Sequence, residues 1–244
     1  MRSVSQTLLL LVILSGSMVA QVGQTASYFL NYNGGLSYRM LISEDGLFHP
    51  LNEIEKPLLV HGAEFQLDIP LGKRLGILSG VGFISFGEKV SMKFHSLNFP
   101  DDIDPYYGFV YETAEEWAFQ DYTSFYRYNY LTLPVLLRWS VVQKRHSALN
   151  IRAGFTANLH LYSRQRTAVS NTEGELEWSS NKLDLPLRKL VPGSSLGLIY
   201  KVDLNENLIL NVGPQIDIFL TRMSNQETPR RIPYRLALTL GIGI

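Results

Sequence analysis

The sequence predicts an all-β chain: an eight-stranded antiparallel up-and-down transmembrane β-barrel behind a cleaved N-terminal signal peptide. Three observations predict it. Beyond Ala20, large apolar residues recur at almost every second position, the period of strands and not of helices. The connections between these runs alternate short and long, as when tight turns sit at one end of a barrel and loops at the other. The last run, YRLALTLGIGI (234–244), alternates to its final residue, with Leu236, Leu238, Leu240, Ile242 and Ile244 on one face. Most chain ends fray. A strand that must pair with the first to close a barrel cannot, because hydrocarbon offers its backbone no other partner.

The bulk numbers narrow the classes. The chain has 244 residues and zero formal net charge, so one domain is expected and no nucleic-acid partner, which would need a basic excess. Cysteine is absent, which excludes disulfides, thiolate metal sites, a cysteine nucleophile and a lipid-modified N-terminal cysteine. Met1-Arg2, the apolar run TLLLLVIL (7–14) and SGSMVA ending at Ala20 have the layout of a secretory signal peptide. The apolar run is far shorter than the roughly 20 residues of a spanning helix. The expected division is 1–20 signal peptide and 21–244 barrel domain.

Eight strands follow in order. The first runs from about Tyr28 to Leu41, with Tyr28, Leu30, Tyr32, Leu36, Tyr38 and Met40 on one face. The second, about Leu59 to Ile69, sets Ala63, Phe65, Leu67 and Ile69 against Gly62, Glu64, Gln66 and Asp68. The third, about Leu75 to Val90, begins with Leu75, Ile77, Val81 and Phe83, after which its pattern blurs. The fourth, Tyr126 to Trp139, aligns Leu131, Leu133, Val135, Leu137 and Trp139. The fifth, Leu149 to Leu161, alternates Ile151, Ala153, Phe155 and Leu159 with Asn150, Arg152, Thr156 and Asn158. The sixth is Ser194 to Val202, the seventh Leu208 to Leu220, and the eighth the terminal run. LGKR (71–74), VVQKRHS (141–147) and LNEN (204–207) read as short turns. The long connections are about 42–58, 91–125, 162–193 and 221–233.

Alternation alone does not say which face looks inward. A soluble, lipocalin-like barrel turns its apolar face in, and a membrane barrel turns it out. Three features favour the membrane. The polar faces are rich in Gly, Ser, Thr and Asn, which suit a narrow lumen. Tyr28, Tyr38, Trp139 and Tyr234 lie near strand ends, where an aromatic girdle belongs. The last strand reaches the last residue.

Three segments carry a family likeness. YNYLTLPVLLRW (128–139) resembles the Tyr-x-Tyr-Leu-x-x-Pro-Leu-Leu strand of the PorT-like family of Bacteroidota outer-membrane β-barrel proteins. LNIRAGFTANLHL (149–161) and LGILSGVGFISFGEKV (75–90) are similar to two further strands of that family, and the resemblance spans roughly 28–244. It implies the bacterial outer membrane, with outer-membrane lipid around the barrel. For some members it implies an accessory role in type IX secretion. Ile244 departs from the terminal aromatic residue usual in such barrels.

With polar faces inward, the lumen would hold Arg39, Arg138, Arg152, Lys201 and Arg235 against Glu64, Asp68, Glu88 and Asp217. Charges at membrane depth must be paired or wet, so this near balance predicts a salt-bridge network that fills the barrel. Eight strands leave room only for side chains, so a plugged barrel is expected, not a pore. Pro134 and Pro214 lie inside strands and lack a ladder donor, so each should mark a bulge or an unpaired site.

The connection 91–125 is the candidate docking loop. It carries Asp101, Asp102 and Asp104, and the aromatics Tyr106, Tyr107, Tyr111 and Trp117, the residue types that dominate interfaces. A protein partner through this loop is one reading, and a loop packed on itself is the other. The three aspartates lack the glycine turn and later glutamate of a defined calcium loop. No G-x-S-x-G elbow or nucleotide loop occurs, and no metal or other cofactor is expected. His160 and Ser163 are close in sequence, but an odd separation places them on opposite faces of a regular strand. The chain therefore reads as non-enzymatic, against two alternatives: a lipid-modifying enzyme of the same membrane and a soluble periplasmic lipocalin-like carrier.

Overall fold

A computed structural model describes residues 26–42, 55–92, 122–170, 176–183, 186–206, 208–224 and 230–244. The expected signal peptide at 1–20 lies outside the described residues, as do Asp101, Asp102, Asp104, Tyr106, Tyr107, Tyr111 and Trp117 of the candidate docking loop.

The strands are β1 (Ser27–Ile42), β2 (Glu55–Pro70), β3 (Leu75–Met92), β4 (Tyr122–Lys144), β5 (Ser147–Ser170), β6 (Leu176–Leu183), β7 (Leu190–Asn205), β8 (Leu208–Phe219) and β9 (Arg230–Gly243). All pairings are antiparallel, and β1-β2-β3-β4-β5-β7-β8-β9 close into an eight-membered ring. The terminal residue takes part in the closure. Ile244 donates to the Tyr28 carbonyl at 3.0 Å and accepts from the Tyr28 N–H at 3.0 Å.

A ninth strand, β6, forms in a stretch where the sequence predicts loop. It pairs with β5 above the point where β7 begins: Ser163 faces Leu183, while Leu159 faces Leu190. Between those two pairs β5 advances four residues (159 to 163) and its partner seven (183 to 190). Thus β6 and β7 share one barrel position, interrupted by surplus chain. Pro186 lies in that gap, where its missing N–H costs no ladder bond. The connection read as 162–193 is therefore largely strand, and VVQKRHS (141–147) narrows to a turn at 145–146.

Pro134 and Pro214 behave as expected. Pro134 pairs with Thr156 of β5, yet the β3–β4 ladder skips it between Ser79–Val135 and Gly82–Thr132 with no register change. Pro214 pairs with Leu238 of β9, and the β7–β8 ladder skips it between Gly197–Gln215 and Tyr200–Val212.

The faces sort by height. From the short-turn end upward, rungs across β3, β4 and β5 read Leu75–Trp139–Ile151, Ile77–Leu137–Ala153, Ser79–Val135–Phe155 and Phe83–Leu131–Leu159 on the outside. Most of these outward side chains are exposed, with Phe155 at 69% and Leu137 at 52%, a surface that water would not tolerate. From Leu75 to Phe83 the belt covers about 27 Å along the strand, or about 21 Å in height at a tilt of about 40°. Higher up the pattern inverts. The next outward rungs are Ser85–Asn129–Tyr162, then Gly87–Arg127–Arg164, then Lys89–Phe125–Arg166. There the inward residues are the large ones: Ile84, Phe86, Tyr126, Tyr128 and Tyr130 are all buried. The barrel has an apolar outside within the lipid and an apolar inside above it.

Candidate functional site

The lumen is built in layers by the inward positions of the strands. At the short-turn end, Asp68 of β2 pairs with Arg138 of β4, with Oδ2 2.8 Å from Nε. Arg138 Nη1 donates to Ser140 Oγ at 2.9 Å, which donates to Asn150 Oδ1 at 2.7 Å. Gly76 leaves space for the pair, since a Cβ there would lie 2.5 Å from Arg138 Nη2 and 2.9 Å from Asp68 Oδ1. Beside them Gln66 Oε1 accepts from Asn31 Nδ2 at 2.9 Å and, more loosely, from Arg152 Nη1 at 3.4 Å.

The next layer centres on Asp217 and Arg235, neighbours across β8 and β9. Arg235 donates to Asp217 Oδ2 through Nη2 at 2.7 Å and Nε at 3.1 Å. Gln215 Nε2 donates to Asp217 Oδ1 at 2.9 Å, and Thr239 bridges Gln215 and Asn33. Glu64 borders the same layer, where a cavity of about 10 Å³ remains between it, Thr132, Gln215 and Arg235. That volume is on the order of a single water molecule.

Above lies an aromatic plug. Phe86 and Phe219 have ring centroids 4.3 Å apart, and Tyr130 stands edge-on to Phe219 at 5.0 Å. Ile84, Val90, Tyr126, Tyr128, Val191 and Met223 complete the cluster. Glu88 sits within it and accepts from Tyr128 Oη at 2.9 Å. Also buried at this end, Arg39 forms a forked pair with Glu55, with Nε donating to Oε2 at 2.6 Å and Nη2 closing on Oε1.

The nine charges expected in the lumen thus separate. Arg39, Glu64, Asp68, Glu88, Arg152, Asp217 and Arg235 are buried, and Arg138 is nearly so. Within the set, Asp68 pairs with Arg138 and Asp217 with Arg235. Lys201 keeps the inward parity, facing the buried Asn211 of β8, but at the edge of the lumen. Its side chain is 30% exposed and it pairs with Asp203 at 3.5 Å near the short-turn mouth, because β7 reaches its end there. Sequence reasoning missed Glu55, whose pairing with Arg39 follows from a one-residue register shift in β2 between Pro57 and Gly62. It also missed the neutral partners Gln66, Asn31 and Gln215, whose inward parity was the available signal.

A correction concerns His160 and Ser163. They share a face and a hydrogen bond, with Nε2 2.8 Å from Oγ. The parity argument fails because β5 carries a bulge. Tyr130 faces His160 and Asn129 faces Tyr162, so Leu161 is an extra residue that resets the alternation. Ser163 is 1% exposed, and Tyr130 stands edge-on to the imidazole at 5.4 Å. Among the described residues no carboxylate stands within hydrogen-bond reach of His160. No group of three or more His, Asp or Glu among the described residues is placed to hold a metal ion.

The family comparison agrees with this architecture. The model of the family described as outer membrane protein beta-barrel domain matches residues 19–220. No curated protein sequence matches the chain. Solved structures similar to it include Ail, the attachment invasion locus protein of Yersinia pestis, in complex with the heparin analogue sucrose octasulfate. It is 8% identical, with 90% of this chain and 99% of that chain covered and a TM-score of 0.35. Neisserial surface protein A is 8% identical over 91% of this chain and 99% of that one, with a TM-score of 0.39. The N-terminal β-barrel domain of Pseudomonas aeruginosa OprF is 8% identical over 91% and 98%, with a TM-score of 0.33.

Proposed function

The chain belongs to the outer membrane protein beta-barrel domain family, and from that premise we propose that it is a closed, non-enzymatic barrel that carries a docking surface above the outer membrane. One observation carries the reading. Among the described residues the lumen is occupied by ion pairs and amides below and by the Phe86–Tyr130–Phe219 cluster above, and the cavity beside Glu64 measures about 10 Å³. A barrel so filled has nothing to conduct. Strands β4 and β5, with 23 and 24 residues, run far past the roughly 9–11 that a crossing needs. That surplus carries both strands well above the apolar belt, and the acidic and aromatic segment at 93–121 leads into β4. Planar-bilayer recordings of the purified chain test closure, with no resolved ion steps expected. Crosslinking in intact outer membranes, repeated without residues 100–122, tests docking. Loss of one defined partner supports it, and an unchanged set of crosslinks removes it.

For the pathway, the PorT-like strands at 128–139 and 149–161 support an accessory role in the envelope or in type IX secretion. Deleting the protein and measuring release of secreted cargo tests that finer assignment. The His160–Ser163 hydrogen bond favours a second reading, an outer-membrane lipid hydrolase. Burial of the Ser163 hydroxyl weighs against it, because a nucleophile must reach its substrate. Comparing membrane lipids from cells carrying Ser163→Ala with those of the parent decides between them.

A further inference from the structure

We propose that the outward face of β2–β6, just above the apolar belt, binds the phosphorylated headgroups of outer-leaflet lipid. It is independent of the docking role and needs only the membrane location. Six bases share this face: Lys56, Lys89, Arg127, Arg164, Arg166 and Lys182. The register makes them neighbours. Lys56 faces Lys89, Arg127 faces Arg164, and Arg164 faces Lys182. Arg166 stands one rung above Arg164, beside Phe125. So many like charges side by side repel one another unless an anion joins them. None of the six makes an ion pair with a described residue, and no described acidic residue shares their rungs on this face.

Two of the cations, Arg166 and Lys89, are held in place by aromatic rings. The Arg166 guanidinium lies 4.3 Å from the Trp178 ring centre, Trp178 stacks on Phe125 at 6.0 Å, and Lys89 Nζ lies 5.6 Å from the Phe125 ring. Such contacts position a charge without neutralising it. The height selects the ligand. Arg127 is four residues above Leu131, the last belt residue of β4, which is about 13 Å along the strand and about 10 Å in height. That is where hydrocarbon gives way to headgroups. Arg and Lys there present charge-assisted donors to phosphate oxygens, and clustered bases beside a membrane are the usual signature of anionic lipid recognition.

The test uses the full chain, purified in neutral detergent and titrated with bis-phosphorylated lipid A, its dephosphorylated form, and inorganic pyrophosphate. The expected result is binding of the bis-phosphorylated lipid well above that of the dephosphorylated form. The Arg127→Gln, Arg164→Gln, Arg166→Gln, Lys182→Gln variant should lose affinity by on the order of a thousandfold. A Lys73→Gln, Lys144→Gln control, changed at the opposite mouth, should keep it. Heat-modifiable gel migration verifies that each variant is folded. Should the fourfold variant not fold, the exposed pair Arg164→Gln, Lys182→Gln is expected to lose roughly thirtyfold. Equal binding of the dephosphorylated lipid, or unchanged affinity in the folded variants, overturns the proposal. Pyrophosphate binding as tightly as the lipid assigns the face to a soluble phosphate and overturns the lipid source. A site that appears only after residues 93–121 are removed assigns the bases to that acidic connection and overturns it as well.

Discussion

Arg235 reaches across from the last strand of the barrel to grip the Asp217 carboxylate of the strand before it, with two nitrogens on one oxygen at 2.7 and 3.1 Å. Both side chains are almost sealed from solvent, at 1% and 7% exposure. Removing one partner strands the other as a buried, uncompensated charge, which typically costs about 3–5 kcal/mol. Asp217→Asn and Arg235→Met should each lower resistance to urea unfolding in lipid vesicles by about that much. The apolar double change, Asp217→Leu together with Arg235→Met, should recover most of the loss. A double variant as weak as either single one would mean that the pair does more than neutralise itself.

Gly76 offers a contrast between two glycines that sequence treats alike. A Cβ at Gly76 would press on the Arg138 guanidinium and the Asp68 carboxylate, whereas one at Gly72 would meet nothing within 4 Å. Gly76→Val should therefore destabilise the barrel by about 1–3 kcal/mol through overpacking. Gly72→Ala, in the turn between β2 and β3, should stay within about 0.5 kcal/mol of the parent. Parallel urea titrations read both.

The strands and their lipid faces are legible in the sequence because, at membrane depth, the two sides of a ribbon meet opposite solvents. Leu131, Leu133, Val135, Leu137 and Trp139 have to alternate with Thr132, Pro134 and Arg138. Above the belt the rule changes. Water lies outside and the core inside, so Arg127 and Arg164 face out while Tyr128 and Tyr130 face in. Where the two rules meet, at Ser85–Asn129–Tyr162, the pattern blurs, and there the periodicity of the third strand gives out. Ser163, Arg164, Gln165, Arg166 and Thr167 are polar at every position, so the top of β5 reads as loop. The bulge at Leu161 leaves no compositional trace at all, and it alone brings His160 onto Ser163.

The aromatic plug yields a prediction about stability. Phe219 is 1% exposed and contacts both Phe86 and Tyr130. Truncating a buried Phe typically costs about 3–5 kcal/mol, partly as lost transfer energy and partly as the cavity left behind. Phe219→Ala should show that loss, and Phe219→Leu a smaller one. Conductance should stay absent in Phe219→Ala, because the Asp217–Arg235 layer beneath it still closes the lumen.

Three single cysteines test the change of solvent along the wall directly, since the chain has no cysteine of its own to interfere. Leu238 and Thr239 are adjacent on β9 at one height. Leu238 is 51% exposed on the outer face, and Thr239 is 1% exposed, bonded to Asn33 and Gln215 inside. Arg164 is exposed on the outer face above the belt. A dye on Leu238→Cys should be quenched by lipid-soluble spin probes and ignored by aqueous iodide. Arg164→Cys should give the reverse, and Thr239→Cys should resist labelling until the barrel is unfolded. Iodide quenching at Leu238→Cys would turn the apolar face toward water, and with it the height assigned to the six bases would have no reference plane.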